Sequence, residues 1–342
     1  MKRIFCAVLC AAMLLTGCAA PTQQKTRYNA TFLTLFDTVT TIVGFAESEE
    51  EFRTAAQSVH DELLTYHQLF DIYNDYDGLN NLKTVNDNAG IAPVAVDRVI
   101  IDLLLDCKEY YNLTGGKVNA AMGSVLHLWH EARNDGIDDP LNAYLPDAAA
   151  LQNAAAHMSM DSVVIDESAG TVFITDPDTR LDVGAIAKGW VTERAARNAI
   201  AGLLISVGGN VRATGAKDEN GSPWVVGIQD PDDAEDYLHS IYVYAERGSV
   251  VTSGDYQRTY AVDGTLYHHI IDPETLYPAT LWRSVTIVCA DSGAADALST
   301  ALFLMDYEAG LALLAQFDAE AVWVAPDGTL LYSPGFEELI RT

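Results

Sequence analysis

Apolar residues alternate with Thr and Asp through residues 31–45, and that period of two predicts one strand. Over 49–70 the apolar spacing changes to three and four, which predicts an amphipathic helix. The same helical spacing recurs over 96–111, where Gly115-Gly116 breaks it, and over 146–157, where Pro146 stands near the start. Residues 163–165 and 171–174 flank a Ser-Ala-Gly turn and predict a hairpin; 181–184 lead into a helix over 185–201. Short, turn-bounded strands follow at 204–207, 211–214, 224–228, 241–244, 259–262 and 266–270, with Asp263-Gly264 a strong hairpin signal between the last two. Helices over 293–305 and 307–317 and a hairpin around Pro326-Asp327-Gly328 close the chain. Helices grouped early and strands grouped late argue for an α+β fold, and no linker divides residues 31–342.

The N-terminus has its own pattern. Lys2 and Arg3 precede an apolar run over 4–15, and Leu15-Thr16-Gly17-Cys18 ends it, so residues 1–17 read as a lipoprotein signal peptide. The run is too short for a stable span. A lipid on Cys18 would tether the protein to the extracytoplasmic face of the cell membrane through the polar, unpatterned residues 18–30. Of five cysteines, Cys6 and Cys10 leave with the signal; Cys107 and Cys289 are expected as buried free thiols, with a single bridge between them the alternative.

Charge sharpens the picture. Lys and Arg number 20 against 48 Asp and Glu, a formal net charge of -28, which argues against nucleic acid and against a polybasic grip on anionic lipid. A polyanionic ligand would therefore need a local cation.

Chemistry-bearing residues concentrate at 251–278, VTSGDYQRTYAVDGTLYHHIIDPETLYP. His269, beside His268, is able to take a proton near neutral pH, and Asp255 is a second candidate base. Asp296 and Thr300 stand four apart in ADALSTALF, so a helix carries both hard oxygens on one face, as magnesium prefers. Read alone, that pair is more readily an Asp near a helix N-terminus and a Thr on a helix surface. In LDVGAIAKGW, a strand passes into a helix whose free N–H groups suit an anion, with Lys188 in the first turn. Asp182 there is either a ligand contact or a helix cap. The paired glycines of SVGGNVRATG permit positive φ or close approach of a ligand, and Phe36 and Tyr73 are aromatics beside polar loops on which a ring system stacks.

Together, FDT at Phe36, the loop 73–80, LDVGAIAKG, VGGNVRATG, VTSGDYQRTY, YHHIIDPETLYP and ADALSTALF resemble, in order and spacing, the ApbE family of FAD:protein FMN transferases, over about residues 31 to 305. The resemblance implies a largely antiparallel sheet with flanking helices. It also implies magnesium-assisted cleavage of the FAD pyrophosphate, with transfer of FMN to a Thr or Ser hydroxyl of an acceptor protein and release of AMP. By matching motif, Asp296, Thr300 and the Ala185 carbonyl resemble metal ligands. Phe36, Tyr73, Lys117, Val118, Asn119, Asp182, Lys188 and Ile271 resemble FAD contacts. This chain has no D-x-x-[ST]-G-A-[ST] acceptor pattern of its own, so it resembles the modifying enzyme and its partner would carry that pattern. Two positions depart from the family: Leu276 replaces the Gly of D-P-x-T-G-x-P, which is expected to reshape a turn needing positive φ, and Asn119 stands where many members have Asp. The competing readings are an FAD pyrophosphatase giving FMN and AMP, and an FAD-binding lipoprotein without chemistry.

Overall fold

The computed structural model describes residues 25–233 and 235–342; the expected signal peptide and Cys18 lie outside the described residues. Among them no helix is long and apolar enough to cross a membrane.

Eight strands form one antiparallel sheet: β1 (Thr26–Leu35), β2 (Thr38–Ala46), β3 (Leu203–Val207), β4 (Asn210–Ala213), β5 (Ser249–Gly254), β6 (Ser284–Cys289), β7 (Ala319–Val324) and β8 (Leu330–Tyr332). They lie side by side in chain order, each antiparallel to the next. The expected single strand over 31–45 is in fact the hairpin β1–β2. Leu35 pairs with Thr38 across a two-residue turn in which Phe36 and Asp37 have φ of 54° and 50°. A turn of that kind normally carries Asn or Gly, so Phe-Asp gave no turn signal. Strand β1 also starts at Thr26, inside the segment expected as tether.

The helices are α1 (Glu49–Phe70), α2 (Leu82–Asp87), α3 (Arg98–Leu113), α4 (Gly123–Asp138), α5 (Ala148–Ala155), α6 (Ala187–Asn198), α7 (Ser292–Phe303) and α8 (Tyr307–Leu314). Helix α7 buries nearly its whole circumference against β5, β6 and α6. Val251, Ile287 and Ala321 form one cross-strand row under it. On the opposite face Val250, Val288 and Val322 meet Trp224, Ile228 and Ile241 of a separate hairpin, Trp224–Gln229 with Tyr237–Val243. Strand β6, SVTIVC, is thus buried at all six positions, and so shows no alternation. Cys107 and Cys289 are free, buried thiols, which settles their pairing. Burial pushes the Cys289 thiol up to about 12, so it is inert at neutral pH.

Candidate active site

The corner expected to carry chemistry lies where α6 begins. Residues 181–186 run from Leu181 into α6 with Ile186 at the cap and no side-chain cap bond. Asp182 is therefore not the helix cap: its Oδ1 accepts from Gly184 N at 2.9 Å, two residues on. The Val183 carbonyl accepts from Ile186 and Ala187 at 3.1 and 2.9 Å. Thr300 Oγ1, from α7, stands 3.5 Å from that oxygen.

Asp296 lies one turn before Thr300 on α7 and is only 3% exposed. Its Oδ2 accepts from Gly189 N at 2.8 Å, and Lys188 Nζ is 3.7 Å from Oδ1 and 3.2 Å from the Gly184 carbonyl. Burial raises the Asp296 carboxyl above the usual carboxylate range, against the opposing pull of Lys188 and the Gly189 N–H. A carboxylate, a hydroxyl and a carbonyl thus converge from two elements at a helix N-terminus. All are hard oxygens, and the carboxylate is poorly compensated, so the donor set fits a divalent cation of the magnesium type.

Two features set this approach. A Cβ on Gly189 would lie 2.1 Å from the Ser292 carbonyl and 2.5 Å from Asp296 Cβ, so only glycine lets α6 and α7 come this close. Glu193, one turn on, locks the same contact: it is 5% exposed and accepts from Ser292 N at 2.9 Å, Arg212 Nε at 2.7 Å and Arg197 Nε at 2.9 Å. Neither residue was singled out from sequence, although the glycine stands in the AKG run.

The two histidines separate by their partners. His268 is spent on backbone, with Nε2 2.7 Å from the Ala279 carbonyl and Nδ1 accepting from Ile270 N. His269 Nδ1 lies 3.1 Å from the Gln257 carbonyl, which only accepts, so the proton sits on Nδ1 and Nε2 keeps its lone pair. Burial, then the charges of Arg258 and Lys188, lower the His269 pKa to about 3, leaving it neutral. Asp255 is committed elsewhere. Its Oδ2 accepts from Arg283 Nε at 2.7 Å and its N–H donates to the Arg283 carbonyl, an arrangement that locks a loop. Thr252 and Ser253, in the same segment, bond to Thr286 and Ser299 within the sheet and α7 layer.

The other expected contacts divide. Tyr73 is 55% exposed, with its hydroxyl 2.7 Å from His130 Nδ1. Phe36 is half-buried edge-on against His67. Val118 and Ile271 bury their side chains, so only backbone is left to meet a ligand. Lys117 bridges Asp272 and Glu274 at 3.0 and 2.9 Å. Asn119 is structural: Oδ1 accepts from Ala121 N at 2.9 Å and Nδ2 donates to the Met158 carbonyl at 2.9 Å. An aspartate could not make the second bond. The turn at Leu276 keeps a positive φ. Leu276 holds φ of 64°, its N–H bonds the Asp272 carbonyl at 2.7 Å, and its side chain packs with Trp129, Val125 and Ile271. Sequence reasoning also missed α4, whose His130 and Arg133, three apart on one face, line a cleft with His269 and Arg258.

Comparison with known proteins follows the same lines. The family model described as the ApbE family matches residues 27–323. A Treponema pallidum protein named FAD:protein FMN transferase is 36% identical over 278 residues, covering 76% of this chain and 75% of that protein. A Klebsiella pneumoniae protein of the same name is 32% identical over 287 residues, 80% of this chain and 86% of that one. The crystal structure of the ApbE protein from Thermotoga maritima superposes with a TM-score of 0.81 at 29% identity, covering 93% of this chain and all of the other. The chain belongs to the ApbE family.

Proposed function

We propose that this protein is an FAD:protein FMN transferase that moves FMN from FAD to a hydroxyl of an acceptor protein. The observation that carries the reading is the convergence of Asp296, Thr300 and the Ala185 carbonyl at the α6 corner, an oxygen cage suited to a divalent cation. The curated relatives, all so named, support it. Magnesium held by these three groups would neutralise charge on the pyrophosphate and polarise its phosphorus–oxygen bonds.

The chain's own residues do the rest. The Lys188 ammonium, in the first turn of α6, attracts phosphate oxygens in a chain that is otherwise strongly negative. Tyr73 and Phe36 offer ring faces to the dinucleotide, and Asp182, Lys117, Asn119 and the backbone at Val118 and Ile271 shape its surroundings. His269 Nε2 takes the proton as the acceptor oxygen bonds to the FMN-side phosphorus; the bond to the AMP phosphate breaks, and AMP leaves with that electron pair. Asp255 is a loop anchor in this scheme. Anchoring by a lipid on Cys18 at the extracytoplasmic face, and an acceptor carrying a D-x-x-[ST]-G-A-[ST]-like segment, belong to the same proposal.

The test mixes protein, FAD, magnesium and an acceptor bearing that segment, then follows AMP release and flavin fluorescence on the acceptor after denaturing electrophoresis. Stoichiometric labelling and AMP are expected. AMP with free FMN and no labelling would replace transfer by hydrolysis; bound FAD with neither product would leave a carrier.

A further inference from the structure

Arg133, on α4, and Arg258, in the loop after β5, line one cleft with Trp129, His130 and His269. Among the described residues neither guanidinium meets a carboxylate. Arg133 Nη2 reaches only Asn134 Oδ1, at 3.4 Å, and Arg258 Nη2 reaches only the Phe36 carbonyl, at 3.2 Å. Each guanidinium carries five N–H donors, so most of both forks are left unused. Arg98, Arg194, Arg197, Arg212, Arg247 and Arg283, by contrast, hold carboxylates. The two also work against each other. Burial, and then the Arg258 charge, lower Arg133 below the usual arginine range, while Asp37 and Asp182 offset this only from beyond ion-pair distance.

Backbone geometry adds an independent sign. Arg258 holds φ of 49°, a left-handed conformation that is strained for a non-glycine residue. The turn it touches is built from two more such residues, Phe36 and Asp37. A strained residue lining the cleft and bonded to a strained turn points to a functional constraint there. A single bond of 3.2 Å to a carbonyl is a poor return for that strain, whereas a guanidinium fork held toward the cleft is a binding device.

We propose that Arg133 and Arg258 form an oxyanion subsite beside His269, gripping an anionic oxygen group of a reactant away from the oxygens gathered at Ala185, Asp296 and Thr300. The inference rests on the transferase reading above. Phosphate and carboxylate both suit paired guanidinium forks, so the group belongs either to the nucleotide or to the acceptor segment.

The test uses the full chain with Arg133→Gln, Arg258→Gln, the double variant, and Arg→Lys at each position. AMP binding is measured by calorimetry, and the KM for an acceptor protein is measured at saturating FAD. A weakening of tenfold or more in AMP affinity assigns the group to the nucleotide; an equal rise in acceptor KM with AMP affinity kept assigns it to the acceptor. In either case Lys should recover part of the loss. The wild type is assayed first, so failure of the transferase reading shows as absent transfer in unmutated protein, and the AMP arm then decides the subsite alone. AMP affinity and, where transfer occurs, acceptor KM both within twofold of wild type in the folded double variant would overturn the subsite.

Discussion

The Gly189 N–H donates to Asp296 Oδ2 at 2.8 Å, a contact that exists because no side chain separates α6 from α7. Replacing Gly189 by Ala puts a methyl group against the Ser292 carbonyl and the Asp296 Cβ, and neither is a flexible side-chain tip able to move aside. The helices must part. Overpacking of this kind costs about 1–3 kcal/mol, and Asp296 would shift relative to the Ala185 carbonyl. Gly189→Ala is therefore expected to lower the denaturant midpoint measurably and to cut transfer activity at least tenfold; wild-type activity in the variant would show that this spacing is not needed.

Asp296 is a buried carboxylate whose protein partners are one N–H and a lysine at 3.7 Å. A buried charge compensated that weakly adds little to the fold, and replacing it with a neutral isostere is often harmless to stability. Asp296→Asn should thus abolish turnover while melting no lower than wild type in chelator. Wild type should gain melting temperature with magnesium and the variant should not. Equal magnesium stabilisation of both proteins would remove the metal assignment.

What the sequence displayed and what it hid divide on physical grounds. Helix α1 and the α6 and α7 motifs were legible because amphipathic spacing and a strand-to-helix glycine turn are local signals. Strand β6 was not, since burial on both faces erases alternation. The β1–β2 turn was hidden because Phe36 and Asp37 adopt a backbone that their side chains do not advertise. The metal-type oxygens were legible as a spacing on one helix, but the Gly189 and Glu193 contacts that fix them join residues more than ninety positions apart. The roles of Asp255 and His269 separated only once Arg283 and the Gln257 carbonyl were seen to occupy different sides of the question.

That separation is measurable. Removing a positioned general base typically costs on the order of 10²–10⁴ in rate, so His269→Ala should fall in that range at saturating FAD. Asp255→Asn should keep kcat within a few-fold and lose thermal stability, because Arg283 loses the carboxylate at its Nε and is left with the Asp232 carboxylate alone. The reverse ranking would move the base to Asp255.

pH dependence gives a second handle on His269. Its pKa is lowered to about 3 by burial and by Arg258 and Lys188, from the ordinary histidine value of 6.5. The free enzyme therefore keeps this ring neutral well below pH 6.5, and kcat/KM should show no acid limb centred there. The sign for stability is opposite to that of a salt-bridged histidine. The unfolded chain takes up the proton below pH 6.5 and the folded one does not, so this residue's contribution is lost as pH falls from there toward 3. An acid limb at 6.5 that disappears in His269→Ala would contradict the assignment.

Leu276 offers the sharpest stability comparison in the chain. It sits at φ of 64°, where a non-glycine residue costs roughly 1–2 kcal/mol, yet its side chain is 3% exposed among Trp129, Val125 and Ile271. Truncation to Ala removes the packing, worth about 2–5 kcal/mol at a buried leucine, and keeps the strain. Truncation to Gly removes both. Glycine is ordinarily the less stable of the two replacements by about 0.5–1 kcal/mol in regular structure, but here the order should invert. Leu276→Gly is expected to unfold at a denaturant concentration no lower than Leu276→Ala, with both below wild type. If Ala proves clearly the more stable, the left-handed conformation is not the constraint at this turn, and packing against α4 alone explains why a leucine is accommodated.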